Sequence, residues 1–284
     1  MKDQIYVAGK LNGKDSTHYI RNVNKMTNYA EEIRQLGVLI HNPANDFIHG
    51  VICGGHEYNE YWENNLGALK RADAVAMVDN WNDSPGAKAE RDIAIENNIP
   101  VLYHKCEVEK WVKRPRILAV VGESGSGKTM AVDYIEKKYL IPMVRSYTDR
   151  RMRHPDEDGH TFLSEEEFDE IKTSDTLAYT EWQGKRYCCI HSDIGQFNTY
   201  VIDERGLSML RNKWRDRYKV EALRIHRSLD QRSDIDSDRV GRDLGKFILH
   251  DGEYQYVVHN DGTKDELFKK MDNIVEGFFN EIKL

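Results

Sequence analysis

Apolar and polar positions alternate along the chain in blocks. Gln4-Ile5-Tyr6-Val7-Ala8 reads as a strand ended by Gly9-Lys10-Leu11-Asn12-Gly13. Between 22 and 36 apolar residues recur at Met26, Ala30 and Ile33, a helical spacing that Gly37 stops. Val38-Leu39-Ile40-His41 predicts a second strand, followed by Asn42-Pro43. Residues 44–60, with Gly50, Gly54 and Gly55, predict irregular chain. The pattern then predicts a helix over 61–71, a buried strand over 74–78, a helix over 87–97 and a strand over 100–103. Strands separated by helices call for a parallel sheet covered on both faces. Ligands of such sheets lie at the carboxyl ends of strands, here in the loops after Ala8, Ile40 and Val78. The charged stretch 107–115, with its proline, predicts a linker.

The second half opens on the apolar run Ile117-Leu118-Ala119-Val120-Val121, with a helical stretch over 130–139. Between them stands Gly122-Glu123-Ser124-Gly125-Ser126-Gly127-Lys128-Thr129, the G-x-x-x-x-G-K-[ST] order of a phosphate-binding loop. Its glycines let successive N–H groups face inward at a helix N-terminus. Lys128 reaches β- and γ-phosphates, and the Thr129 hydroxyl holds Mg²⁺. Further on, 158–168 reads as turn, strand and a helix capped by Ser164 and Glu167. Gln183-Gly184-Lys185-Arg186-Tyr187 predicts a hairpin turn, and 199–203 a buried strand ending in Asp203, an acid placed for Mg²⁺ through water.

Composition narrows the class. The chain has 284 residues, 39% hydrophobic and 31% charged, with a net charge of −7. That is enough for two cores. No apolar run spans a membrane, and no signal-peptide segment is expected before the first strand. Acidic side chains outnumber basic ones in both halves, which argues against a duplex-DNA binder. Cys53, Cys106, Cys188 and Cys189 show no C-x-x-C spacing and read as reduced thiols of a cytoplasmic protein.

Two further constellations carry chemistry. In Ser84-x-Gly86-x-x-x-Glu90, a serine and a glycine at a helix start offer donors to an anion, with Glu90 one turn beyond on the same side. Ordinary N-cap chemistry gives the same pattern. In Ser146-x-Thr148-x-Arg150-x-x-Arg153, two arginines behind a serine suit a phosphate clamp.

Ile5-Tyr6-Val7-Ala8-Gly9, the Asn42-Pro43-Ala44 turn, the Ala72-Asp73 step and Ser84-x-Gly86-x-x-x-Glu90 together resemble the nucleoside 2-deoxyribosyltransferase superfamily, which includes 2'-deoxynucleoside 5'-phosphate N-hydrolases. The resemblance covers about 4–104. It implies that Glu90 attacks the anomeric carbon and that the glycosyl-enzyme passes its sugar to a base or to water. Tyr6 would position Glu90 and the sugar, with Gly9, Asn65, Ser84 and Gly86 around the substrate. Ser84 implies a 5'-monophosphate, since phosphate-accepting members have serine there. Asn65 stands where the family usually has an aspartate, and an amide cannot deliver a proton to a leaving base. Relatives often complete their sites across a subunit interface, which implies a homodimer or higher homo-oligomer.

The phosphate loop, Ser146-x-Thr148-x-Arg150-x-x-Arg153, Asp158-Gly159, Gly184-x-x-Tyr187, Asp203-x-x-Gly206 and Val257-Val258-x-Asn260-Asp261 resemble guanylate kinase and its nucleoside monophosphate kinase relatives over about 116–278. By that resemblance Ser146, Arg150, Arg153 and Tyr187 hold the acceptor phosphate, with Asp203 also near the substrate. Arg232, Arg239 and Arg242 act as lid arginines, and Asn260 lies near the adenine of ATP. The base-reading positions differ. Ala178 stands where those kinases have a glutamate, and Cys188-Cys189 where they have a small hydroxyl residue. The stretch after Gly159 leaves His160, Thr161 or Phe162 in place of a phosphate-binding tyrosine.

The expectation is an α/β chain of two domains: 1–110, a flavodoxin/Rossmann-like parallel sheet, and 111–284, a P-loop nucleoside monophosphate kinase fold. The second domain would phosphorylate a (deoxy)nucleoside monophosphate with ATP and Mg²⁺, a modified base suiting the pocket better than plain guanine. The first would hydrolyse or transfer at the N-glycosidic bond of a deoxynucleoside 5'-monophosphate, or bind nucleotide only, as a sensor. Such a fusion suits a phage that builds or purges an unusual nucleotide. The partners are small-molecule nucleotides, with no nucleic acid and no membrane.

Overall fold

Strand β1 (Gln4–Ala8) is buried along Ile5, Tyr6, Val7 and Ala8, as an apolar run without alternation requires of a central parallel strand. The computed structural model describes residues 2–54, 57–152, 155, 157, 159–182, 184–232 and 250–280. They divide into two units, the first ending at Lys113 and the second running Arg114–Asn280.

In the first unit β1 is followed by α1 (Ser16–Arg34), β2 (Leu39–His41), α2 (Pro43–Cys53), α3 (Tyr58–Arg71), β3 (Ala74–Met77), α4 (Pro85–Glu96), β4 (Val101–Leu102) and α5 (Lys105–Val112). The sheet is parallel, in the order β2-β1-β3-β4. Alternate side chains of β1 serve opposite faces. Tyr6 and Ala8 pack with Leu69 and Ala72 at the end of α3 and with Ala87 and Ala94 of α4. Ile5 and Val7 pack with Met26, Ala30 and Ile33 of α1, and Ile5 also with Val108 and Trp111 of α5. Strand order reverses between β1 and β3, the crevice where parallel sheets bind ligands.

Three expectations for this half are corrected. The first helix starts at Ser16 rather than 22, because Asp15 caps it: its carboxylate accepts from His18 N at 2.9 Å. Residues 44–60 are largely helical. Asn42 caps α2 through Ala44 N, Pro43 takes the first turn, and Gly54 ends the helix at φ 82. Gly50 lies inside α2, since a Cβ there would stand 1.5 Å from Tyr61 Oη of α3. The expected linker over 107–115 is mostly α5. His104 and Glu107 form its capping box, and Val108 and Trp111 are buried against the sheet.

The second unit contains β5 (Arg116–Val121), α6 (Lys128–Tyr139), β6 (Ser146–Thr148), β7 (His160–Phe162), α7 (Glu165–Asp169), β8 (Thr176–Trp182), β9 (Lys185–Ile190), β10 (Phe197–Val201), α8 (Glu204–Lys213), β11 (Lys219–His226), β12 (Tyr256–His259) and α9 (Lys264–Asn280). A parallel sheet runs β10-β5-β11-β12. On one face Leu118 and Val120 pack against Ala131, Val132 and Ile135 of α6 and Leu267 and Met271 of α9. On the other Ala119 and Val121 meet Leu207 of α8. A second sheet, β7-β6-β9-β8, joins a parallel pair to the expected antiparallel hairpin. The molecule is thus an α/β protein with two parallel sheets and a smaller mixed one. Among the described residues no helix is long and apolar enough to cross a membrane.

Candidate functional site

The first unit brings Tyr6 and Glu90 together. Tyr6 points from β1 toward α4, and its hydroxyl donates to Glu90 Oε1 at 2.6 Å. Burial pushes the Glu90 carboxyl up to about 7, against the lowering effect of the Tyr6 hydrogen bond. Burial, and then the neighbouring carboxylate, push the Tyr6 phenol well above its ordinary range, so it remains a donor. The Tyr6 ring stacks on His41, with centroids 5.2 Å apart and planes 17° from parallel. His41 Nε2 lies 2.8 Å from Asn65 Oδ1. An amide oxygen only accepts, so that ring nitrogen carries the hydrogen. Asn65 is buried and keeps its amide N–H₂ for a further partner. His41 is the participant that sequence reading missed, hidden as the last residue of a short apolar strand.

Around this chain, Ser84 caps α4 by accepting from Ala87 N at 3.2 Å, the ordinary N-cap bond that the sequence left open. Its hydroxyl hydrogen is not used in that bond. Gly86 faces open space, where an added Cβ would meet only Ser84 Oγ at 3.8 Å. Gly9 has a packing reason instead: a Cβ there would stand 2.8 Å from Val78 Cβ. Asn80 ties the loops after β1 and β3 together, accepting from Lys10 N at 3.0 Å.

In the second unit the loop between β5 and α6 has the shape its sequence calls for. Gly125 and Gly127 have φ of 72 and 99. A Cβ on Gly122 would stand 2.2 Å from Ile225 O, and one on Gly127 2.5 Å from Asn260 Nδ2. Glycine is required at both. No side chain caps the start of α6. Lys128 Nζ curls back to the carbonyls of Gly122 (2.7 Å) and Glu123 (2.8 Å). Ser126 Oγ is buried with no partner, a polar atom facing a cradle that fits a phosphate oxygen. Ser124 is half-buried and Thr129 exposed on the first turn.

Two expected nucleotide contacts have other duties. The Glu123 carboxylate turns inward to His226 Nδ1 (3.0 Å) and Arg224 Nη2 (3.4 Å), so only its backbone lines the loop. Burial would raise its pKa, but those partners outweigh it and hold the carboxyl below the usual range. Asn260 is buried and donates to Ser126 O at 2.8 Å, bracing the loop from β12's end. Asp203 caps α8, accepting from Gly206 N at 2.7 Å. Among the described residues no group of three or more His, Cys, Asp or Glu is arranged to hold a metal ion.

Ser146 and Tyr187, expected at the acceptor phosphate, meet on the mixed sheet. Ser146 pairs with His160, and Thr148 with both Phe162 and Tyr187, so these side chains share one face. Ser146 Oγ lies 2.8 Å from His160 Nδ1, and the His160 and Tyr187 rings are 5.6 Å apart. Of the three candidates for the missing tyrosine's place, His160 is the one in contact with both Ser146 and Tyr187. Arg150 spreads its guanidinium over Phe162 at 5.2 Å. Both its terminal nitrogens reach Glu157, at 2.8 and 3.1 Å. Asp149 anchors this turn to β9, accepting from Arg186 N at 2.8 Å and Nε at 2.6 Å. Burial opposes its charge, but Arg186 wins and lowers its pKa.

Ala178, Cys188 and Cys189, at the expected base-reading positions, are buried, Ala178 and Cys189 packing with Ile117, Val144 and Tyr200. Burial pushes the thiols up to about 12 for Cys188 and about 11 for Cys189, so both are neutral near pH 7. They are free cysteines, as is the exposed Cys106. Arg232 is buried just after a single turn of 3-10 helix, Leu229–Gln231. Arg153, Arg239 and Arg242 lie outside the described residues.

A family model described as a domain of unknown function (DUF4406) matches residues 3–103, a description that names no activity. No curated protein compared with the chain matches it. Among solved structures, guanylate kinase from Anaplasma phagocytophilum is similar over 58% of this chain and 86% of that one, with 21% identity and a TM-score of 0.44.

Proposed function

We propose that the second unit is a nucleoside monophosphate kinase. What carries the reading is the loop 122–129: glycines where a Cβ would collide, an uncapped helix start, and a buried, unpartnered Ser126 Oγ. Lys128 holds its charge inside that loop by bonding to two of its carbonyls, contacts that phosphate oxygens replace on binding. Mg²⁺, held by Thr129 and Asp203, would neutralise charge on the transferring group. An oxygen of the acceptor's phosphate attacks the γ-phosphorus, the bond to the β-phosphate oxygen breaks, and ADP leaves. The chain's own work is positioning. Ser146, His160, Tyr187 and Arg150 would grip the acceptor; Arg153, Arg239 and Arg242, which the resemblance assigns with Arg232 to the acceptor and the phosphoryl group, lie outside the described residues.

By the resemblance the base would lie near Ala178, Cys188 and Cys189, none of them acidic and all buried, Ala178 and Cys189 in an apolar cluster. A base recognised by paired hydrogen bonds loses them here. The acceptor is thus a (deoxy)nucleoside monophosphate other than plain GMP, a modified base included. ADP formation from Mg·ATP across a monophosphate panel tests this, with Lys128→Ala as the control.

The first unit we read as an N-glycosidase or deoxyribosyltransferase acting on a deoxynucleoside 5'-monophosphate. The contact that supports it is Tyr6 Oη to Glu90 Oε1. A buried carboxylate held by one strong donor is an oriented nucleophile for an anomeric carbon. Asn65, fixed by His41, offers N–H to the leaving base, which stabilises it without transferring a proton. That leaves a slower reaction than an acid would give, and it favours the second reading of a nucleotide sensor. Release of free base from each deoxynucleoside monophosphate, absent in Glu90→Ala, separates the two.

A further inference from the structure

The outer end of the guanidinium that the proposed acceptor site depends on is already occupied. Arg150 offers its two terminal nitrogens to Glu157 in a fork at 2.8 and 3.1 Å, and gives Nη1 also to Arg151 O at 2.9 Å. The pair is well shielded, with side chains 13% and 9% exposed, and Phe162 covers one face of the guanidinium. Carboxylate and phosphate present the same two-oxygen edge to a guanidinium. The Nε edge of the Arg150 guanidinium is buried with no partner, so the end that meets Glu157 is the one a phosphate would have to take.

Resting on the kinase reading of this sheet face, we infer that Glu157 is a built-in competitor for the acceptor's phosphate, displaced when a monophosphate binds. Exchange keeps the buried guanidinium paired, which simple removal of a partner would not. A phosphate dianion brings more charge than the carboxylate it replaces. It also finds Ser146, His160 and Tyr187 on the same face to hold its remaining oxygens. Ligands that carry only a carboxylate gain nothing over Glu157 and are refused. The device lowers affinity for every acceptor and selects for doubly charged phosphate esters. A salt bridge that merely prearranged Arg150 would do the opposite.

The test is calorimetry on the full chain with Mg²⁺ and a non-hydrolysable ATP analogue filling the nucleotide site. AMP, GMP, CMP, UMP and their deoxy counterparts are titrated into wild type, Glu157→Gln and Glu157→Asp. Glu157→Gln is expected to bind the preferred monophosphate about tenfold more tightly, the size of a lost charge-assisted contact. Glu157→Asp, whose shorter stem cannot make the full fork, is expected to fall between; it carries the test if the glutamine variant does not fold. The gain should vanish in Arg150→Lys. Equal or weaker binding by the Glu157 variants overturns the inference while the acceptor site stands. Absence of binding by every monophosphate to all proteins overturns both.

Discussion

Glu90 is ionisable in a place that disfavours its charge, and this has measurable consequences. Its pKa rises from 4.5 to about 7 because burial outweighs the Tyr6 hydrogen bond. Between those values the folded protein holds a proton that the unfolded chain has released. The stability this adds is full below 4.5 and lost as the pH rises through about 7. Glu90→Gln is therefore expected to be more stable than wild type at pH 8 by about 1–3 kcal/mol, and equal to it near pH 4. Urea unfolding at the two pH values reads this directly, and a variant weaker at pH 8 would refute it. If Glu90 is a nucleophile, base release should rise with pH through about 7, as the carboxylate forms. In the other unit, Gly122→Ala drives a methyl group to 2.2 Å from a backbone oxygen of β11. It should abolish ATP binding and lower Tm, whereas Lys128→Ala should abolish ADP formation with Tm nearly unchanged. Backbone shape was legible wherever a motif dictates it, as at Gly122 and Gly127. His41 and Glu157 were not legible. Their contacts arise from β2 lying beside β1 and from Glu157 meeting Arg150, neither of which leaves a local pattern.

At the scale of elements, α5 decides what the stretch after β4 is. Its charged residues suggested a linker, yet Val108 and Trp111 are buried against Ile5, Ile33 and Leu102. Trp111→Ala should cost the first unit about 3–5 kcal/mol, as expected of a large core side chain. A change below ~0.5 kcal/mol would restore the linker reading. The error is instructive: two buried apolar residues three apart in an eight-residue helix are too few for periodicity to register. For α2 the glycines misled in the same way, since Gly54 is a C-cap and Gly50 a contact with α3 rather than loop residues. The long apolar strands β1 and β5 were legible, being buried on both faces. So was the capping box at Ser164 and Glu167, which the structure reproduces.

For the whole molecule, the chain divides into two units with separate cores. One is organised by β1, with the acid one turn into α4. The other is organised by β5, with the loop at the start of α6. The parallel topology of both sheets followed from the alternation of strands and helices, because the crossover that joins parallel strands is usually a helix. The mixed sheet β7-β6-β9-β8 was only partly legible: the β8–β9 hairpin was expected, but the pairing of β6 with β7 and β9 is long-range. That pairing is what places His160 beside Ser146.

The central claim is that the second unit moves a phosphoryl group from ATP to a nucleoside monophosphate. Its most direct measurement is ADP produced from Mg·ATP by the full chain with each monophosphate in turn, wild type beside Lys128→Ala. ADP should form with at least one deoxynucleoside monophosphate, GMP should not be the best acceptor, and the alanine variant should be silent. No acceptor-dependent ADP from any member of the panel, modified bases included, or production that survives Lys128→Ala, would contradict it.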